Sequence, residues 1–225
     1  MRHFYSQFVS PGSLCFDVGA NWGNRTRVLR ALGARVVAVE PQAECARLLG
    51  TAYCLDCRVR VLRVALGDAE GEAEMMIASA DTVSSLSRHW IEEVRASGRF
   101  AGVNWDKREL VKVTTLDKLM HAYGVPRFVK IDVEGYEHQV LRGLSSPVPY
   151  LSFEFTPESS ASAYDSIDEL SQLGMGLFNY SVGESMRLAL TSWVGASELK
   201  SVLSQLFADE PMAFGDVYSA AEHRG

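Results

Sequence analysis

The 225-residue chain is long enough for one large domain or two small ones, and its composition, 47% hydrophobic and 22% charged, is that of an ordinary folded protein. A formal net charge of −6 argues against a nucleic-acid partner, because phosphate binding needs clustered Lys and Arg. The first twelve residues lack the apolar segment of a secretory signal, and no apolar run approaches the ~20 residues that span a bilayer. We therefore expect a cytoplasmic protein without a membrane span.

The first part of the chain predicts strands and helices in alternation. Apolar runs that end at glycine, proline or an acidic residue indicate strands, and apolar residues at helical spacing indicate the helices between them. The predicted strands are 14–18, 35–40, 59–66 and 72–78, and the predicted helices are 24–32 and 43–49. Residues 79–108 form the least regular segment, with a helix near 89–97, and are long enough to be a lid or an insertion.

The alternation continues to the end of the chain. The predicted strands are 110–115, 128–132, 150–155, 176–181 and 214–219, and the predicted helices are 116–123, 135–142, 165–173 and 196–207. Strands that alternate with helices are typical of an α/β fold with a doubly wound sheet. We predict one Rossmann-like domain over residues 1–225, with a mostly parallel sheet of about seven strands.

The turn after the first strand carries the first indication of a ligand. A dinucleotide GxGxxG pattern needs glycine at 19, 21 and 24, and only Gly19 matches. The GxGxG pattern of S-adenosylmethionine (SAM) binders matches Gly19 and Gly23, with Asn21 in the middle position, where Asn tolerates a positive φ. The next helix can face the carboxylate of SAM, and Asp17 can accept from its ammonium group. The alternative is a tight turn that binds no ligand.

Two further acidic residues end the next two strands. Glu40 follows Asp17 by ~20 residues and is placed to accept hydrogen bonds from both ribose hydroxyls. Asp68 ends the third strand and could accept from the amino group of adenine. The alternatives are a solvent-facing glutamate before Pro41 and a turn acid beside Gly67. Together the three acids predict a nucleoside pocket.

The candidate catalytic residues lie farther along the chain. Asp132, at the end of its strand, can take the proton of an attacking hydroxyl or orient the acceptor, although it could instead cap the following helix. Glu134 and His138 are four residues apart and could share one helix face. Glu154 lies inside an apolar strand, where a carboxylate needs a partner, a metal or a wet cleft.

Metal ions are an alternative at this site. Asp132, Glu154 and His138 together offer the oxygen and imidazole ligands of a Mg²⁺-type site, whereas our expectation is a site without metal. The Cys54–Cys57 pair lacks two further ligands at metal spacing and is interpreted as reduced thiols.

Six segments resemble the FkbM-type methyltransferases and follow that family's order within residues 12–155. They are residues 16–23 (FDVGANWG), 39–41 (VEP), 64–68 (VALGD), 84–86 (SSL), 115–119 (TLDKL) and 130–137 (KIDVEGYE). The last string is the most specific. The resemblance implies SAM as cofactor and, most often, O-methylation of a hydroxyl, with polyketide and sugar hydroxyls among the family's acceptors.

The leading hypothesis is therefore methyl transfer from SAM to a hydroxyl of a small molecule, glycan or polyketide-type acceptor. An N-methyltransferase is the nearest variant. An NAD-dependent oxidoreductase is a further alternative that the incomplete GxGxxG pattern disfavours, and a non-catalytic SAM-binding protein is another.

Overall fold

The computed structural model describes residues 1–221. Its strands are β1 (Leu14–Val18), β2 (Arg35–Val39), β3 (Val59–Leu62), β4 (Ala65–Leu66), β5 (Gly71–Ile77), β6 (Lys107–Thr114), β7 (Phe128–Ile131), β8 (Tyr150–Phe155), β9 (Leu177–Val182) and β10 (Gly215–Ala220). Its α-helices are α1 (Arg2–Tyr5), α2 (Asn24–Ala31), α3 (Ala43–Ala52), α4 (Arg88–Ser97), α5 (Leu116–Tyr123), α6 (Glu137–Leu141), α7 (Ser160–Gln172) and α8 (Ala196–Asp209). A 3-10 helix covers Asp81–Val83.

Within the described residues, the main sheet has seven strands in the order β3-β2-β1-β7-β8-β10-β9. All neighbours are parallel except β10, which is antiparallel to both β8 and β9. The predicted doubly wound, mostly parallel seven-stranded sheet is confirmed. Strand order reverses between β1 and β7, and in such sheets a ligand crevice lies beyond the carboxyl ends of the strands at that point.

Helices cover both faces of the main sheet, because successive strand residues point to opposite faces and both sets are apolar. The face that packs against α5 to α8 contains Phe16, Val129, Phe153, Leu119, Leu141, Ile167 and Leu203. The opposite face contains Phe4, Tyr5, Phe8, Leu29, Val36, Phe128 and Tyr218.

The N-terminal segment adds an element that the sequence analysis did not predict. The short helix α1 leads to Phe8, whose ring stacks on Phe128 and Tyr218 with centroids 5.5 and 5.2 Å apart. Such a cluster buries a large apolar area for few residues. Four helical residues are too few to show a hydrophobic period, so this helix depends on tertiary packing rather than on local pattern.

The single strand predicted over residues 59–66 is wrong. The chain leaves the main sheet after Leu62, and Ala65 pairs with Val113 of β6 instead. Among the described residues, β4, β6 and β5 form a separate three-stranded sheet, in which all of β5 runs antiparallel to residues 107–113 of β6. Arg63, at the break, forms an ion pair with Glu109 of β6 at 2.5 Å.

Residues 78–106, called the insertion below, form a structured addition with an apolar cluster of its own. Helix α4 begins where the Ser87 hydroxyl oxygen accepts from the Trp90 N–H at 3.1 Å, and it ends at Gly98 with a φ of 75°. The insertion packs on the segment after β7. The Trp90 ring lies so close to Gly135 that a Cβ on that residue would be only 2.3 Å from it. Within residues 1–221, no helix is long and apolar enough to cross a membrane.

Candidate functional site

A cavity of about 270 Å³ lies at the carboxyl ends of β1, β2 and β7. Its walls come from the turn after β1, the residues that follow β2, the segment after β7 and part of the insertion. The cavity therefore lies where strand order reverses, which is the position that a doubly wound sheet predicts for a ligand.

The turn after β1 has the backbone conformation that its sequence predicts. Gly19, Asn21 and Gly23 have φ values of 79°, 47° and 81°, so the expectation that Asn21 replaces a glycine at positive φ is confirmed. Gly19 is also held by a close approach, since a Cβ there would lie 1.8 Å from the carbonyl oxygen of Asp132. The turn after β1 and the end of β7 are thus in direct backbone contact.

Glu40 lines the cavity and joins two turns. It is only 2% exposed, and its two carboxylate oxygens accept from the backbone N–H groups of Asn21 and Gln42, both at 2.8 Å. Burial raises the pKa of Glu40, and the two N–H donors partly offset that effect. A carboxylate has about four acceptor positions, so Glu40 can also accept from ligand hydroxyls.

The other two acids of the predicted nucleoside pocket lie outside the cavity lining. Asp17 is buried and accepts from the Thr26 hydroxyl at 2.5 Å, and burial raises the pKa of its carboxyl group. Asp68 is exposed, with Oδ2 3.6 Å from Arg142 Nη1. The structure therefore does not bring Asp17 or Asp68 to the cavity.

Two polar side chains that the sequence analysis did not single out line the cavity beyond Glu40. Ser84, from the insertion, donates to Gln42 Oε1 at 3.0 Å, and Ser84 also accepts from the Ala78 N–H at 3.0 Å. Ser84 lies in one of the segments on which the family resemblance rests, and this was the only indication of it in the sequence.

The opposite side of the cavity carries three carboxyl groups, called the carboxylate cluster below. Asp132, Glu134 and Glu154 each offer an oxygen atom within 4.8 Å of the others. Burial, and then the charge of Asp132, raises the pKa of both Glu134 and Glu154 well above the usual value. Crowding of three carboxyl groups in a buried site therefore favours the protonated forms of Glu134 and Glu154.

A buried cation beside the cluster was missed by the sequence analysis. Lys130 Nζ lies 3.1 Å from Asp132 Oδ2 and 2.9 Å from Asp216 Oδ1, and the Lys130 side chain is 1% exposed. Burial opposes its charge, yet Asp132 and Asp216 more than offset this, so the pKa of Lys130 lies well above its usual value. A charged lysine inside an apolar strand requires a partner, as Glu154 does. The same reasoning could have singled out Lys130 in the sequence.

The segment after β7 differs from the sequence prediction in detail. Glu134 has a φ of 55° and precedes α6, so the expectation that Glu134 and His138 share a helix face is wrong. His138 points instead toward Glu169 of α7, with 4.0 Å between Nε2 and Oε2, and lies outside the cavity lining. Asp132 does not cap α6, whose N-cap residue is Tyr136.

Glu137, which was not predicted as a site residue, shapes this segment. Its Oε1 accepts from the N–H groups of Val133 and Gly135 at 3.1 and 3.3 Å, and burial raises the pKa of its carboxyl group to about 7. Glu137 thereby holds the backbone on both sides of Glu134 in place.

The cavity mouth carries an aromatic ring and an ion pair. Trp22 lines the cavity and is 46% exposed. Arg25, in the first turn of α2, pairs with Glu184 at 2.6 Å, and both residues also line the cavity. Trp22 could be located in the turn after β1 from the sequence, whereas the partner of Arg25 lies 159 residues away along the chain and could not.

Comparison with known proteins identifies one matching family and several structures of similar fold. A family model described as the methyltransferase FkbM domain matches residues 17–182. No curated protein matches the chain. Among solved structures, precorrin-6y C5,15-methyltransferase from Geobacter metallireducens is similar with a TM-score of 0.50 and 8% identity, covering 98% of this chain and 87% of that one. The likeness shows the class I methyltransferase fold.

A second solved structure is Aeropyrum pernix fibrillarin in complex with SAM. It has a TM-score of 0.49 and 11% identity, and the match covers 95% of this chain and 68% of that chain.

Proposed function

This chain belongs to the FkbM methyltransferase family, and from that membership we propose that it transfers the methyl group of SAM to a hydroxyl of a small-molecule, glycan or polyketide-type acceptor. One observation carries the proposal. The turn after β1, with Glu40 beside it, and the carboxylate cluster line the same cavity at the point where strand order reverses. In this proposal a cofactor site lies beside a proton-accepting site.

The residues of the cavity fit SAM. The backbone around Gly19 and Asn21 would hold the methionyl part, Glu40 would accept from the ribose hydroxyls, and Gln42 with Ser84 would lie at the adenine end. When bound, SAM supplies a methyl group on a positively charged sulfonium. Asp68, first predicted for adenine, is replaced in this proposal because it is exposed and outside the cavity lining.

We expect Glu40→Ala to weaken SAM binding by about 1–3 kcal/mol, because the change removes charge-assisted hydrogen bonds. Isothermal calorimetry measures the loss. Glu44→Ala, an exposed acid in the first turn of α3, is the matched control and should bind SAM as the unmodified protein does. Unchanged affinity in Glu40→Ala would remove Glu40 from the cofactor site.

The acceptor end of the cavity determines the chemistry that the protein can promote. A bond forms between the acceptor oxygen and the methyl carbon as the carbon–sulfur bond breaks, and the hydroxyl proton must leave. Asp132 lines the cavity and its side chain is 31% exposed, so its carboxylate can accept that proton or a hydrogen bond from the hydroxyl. Because transfer is an in-line displacement, the main task of these residues is to hold the acceptor in place.

Incubation of the protein with labelled SAM and host extract, followed by mass analysis of the labelled product, tests the proposal. A methylated hydroxyl supports it, and a methylated amine selects the N-methyltransferase alternative. SAM binding without any labelled product from any acceptor pool would point to a non-catalytic SAM-binding protein. A nicotinamide absorbance assay separates the oxidoreductase alternative.

The proposed reaction uses no divalent cation. Lys130 already supplies the positive charge beside Asp132, and the raised pKa values of Glu134 and Glu154 favour protons on the other two carboxyls. We expect exhaustive chelation to leave the transfer rate unchanged, measured with and without added Mg²⁺. A rate that falls on chelation and returns with Mg²⁺ would instead make Asp132, Glu154 and Glu134 metal ligands.

A further inference from the structure

Lys130 is the most deeply buried cation near the cavity, and its contacts run in two directions. Its ammonium group donates to Asp216 Oδ1 at 2.9 Å and to the carbonyl oxygen of Ile131 at 3.1 Å, and forms an ion pair with Asp132 Oδ2 at 3.1 Å. Asp132 faces the cavity, whereas the side chain of Asp216 is 9% exposed. The lysine therefore joins a buried carboxylate to one that lines the cavity.

Asp216 has contacts of its own with β10 and β8. Its Oδ2 accepts from the Tyr218 hydroxyl at 3.2 Å, and its backbone pairs with Glu154 of β8 in the antiparallel register of β10. Each carboxylate oxygen of Asp216 thus has a defined donor. A carboxylate fixed in this way leaves Lys130 little freedom to turn away from Asp132.

We propose that Lys130 and Asp216 form a positioning pair that fixes the carboxylate of Asp132 for methyl transfer. The inference rests on the proposed function. Asp216 lies beyond residues 17–182, which the family model matches, so the pair adds a residue from the last described strand to the site. Neither residue lines the cavity, and both act through Asp132.

Stability alone is a poor explanation for this pair. Taking both charges out of water costs free energy that their attraction rarely exceeds, and apolar replacements of buried pairs are often neutral or stabilising. Ser152, across from Lys130 on β8, is fully buried and its hydroxyl has no hydrogen-bond partner, so it gives no hydrogen bond to the Lys130 ammonium group. A charge retained here is better explained by its effect on Asp132.

The test compares Lys130→Met, Asp216→Asn and the double variant, with Lys200→Met as control. Lys200 forms an exposed pair with Asp168 on helices away from the cavity. For each variant, kcat and the acceptor KM are measured with labelled SAM and the acceptor fraction identified above, together with the SAM Kd and the Tm. Crystal structures of the unmodified protein and the double variant give the position of the Asp132 carboxylate.

Lys130→Met should lower the Tm, because Asp216 loses its cation, and should lower kcat on the order of 10²-fold, the effect of misplacing a reacting group by about 1 Å. In the double variant the Tm should largely return, since no unpaired charge remains beside β10, while kcat stays low and the acceptor KM changes little. Lys200→Met should match the unmodified protein in kcat.

Return of kcat together with the Tm in the double variant would overturn the proposal, because the pair would then be structural only. If the unmodified protein transfers no methyl group to any acceptor, the proposed function fails, and the crystal structures still decide about the pair. An Asp132 carboxylate that turns away without Lys130 supports positioning, and one that keeps its place overturns it.

Discussion

Asp132→Asn is expected to lower kcat roughly 10²–10⁴-fold while leaving SAM affinity nearly unchanged. The amide keeps the size of the side chain but cannot take a proton from the acceptor, and this loss acts in the transition state rather than in cofactor binding. Lys130 keeps Asp216 as its partner in this variant, so the protein should still fold. Initial rates with labelled SAM and calorimetry measure the two effects separately.

Asp168→Asn, an exposed acid on α7, is the control for this change and should leave both quantities unaltered. Loss of SAM affinity in Asp132→Asn would make Asp132 a cofactor residue. If neither kcat nor SAM affinity changes, Glu154 and Glu134 become the next candidates for the base. His138 would then follow only if the contact with Glu169 were shown to open toward the cavity.

Gly19→Ala is expected to abolish SAM binding at concentrations that saturate the unmodified protein, and to destabilise the fold. The added Cβ would meet the Asp132 carbonyl oxygen at 1.8 Å, so the two adjoining turns must separate. The positive φ alone costs about 1–3 kcal/mol for a residue with a side chain. Denaturant unfolding measures the loss of stability, and calorimetry measures the loss of binding.

Gly50→Ala is the matched control, because Gly50 lies inside α3 at a negative φ, with open space where the added methyl group would lie. It should bind SAM normally and gain about 0.5–1 kcal/mol in helix stability. If Gly19→Ala binds SAM as tightly as Gly50→Ala, the turn after β1 does not contact the cofactor.

Local pattern was sufficient to predict most of the fold. The alternation of apolar strands with helical faces predicted the main sheet, and the tolerance of asparagine for positive φ predicted the conformation of Asn21. The break after Leu62 was not predictable, because Val59 to Leu66 is equally strand-like on both sides of it. The choice of partner for Ala65 depends on β6, whose residues lie far along the chain.

In the site, too, contacts between residues far apart in the chain were not predictable from local sequence pattern. Six residues predicted on several grounds line one cavity in the structure, namely Gly19, Asn21, Glu40, Asp132, Glu134 and Glu154, whereas Gly23, predicted with them, is not part of its lining. Asp17 and Asp68 were predicted, as Glu40 was, because each lies toward the end of a strand. The Asp17 carboxylate instead accepts from the Thr26 hydroxyl, and Asp68 is exposed to solvent. The pairing of Lys130 with Asp216 spans 86 residues, and no local period reports such a contact.

The place of β10 in the main sheet has a consequence for how the protein is made. β10 lies between β8 and β9 although it follows both in the chain, so β9 cannot join the sheet until the residues of β10 have left the ribosome. Until then the nascent chain presents the bare edge of β8, a template for pairing with other chains. Synthesis that stalls before Gly215 would leave a product that is prone to aggregate, with Lys130 buried beside no second carboxylate.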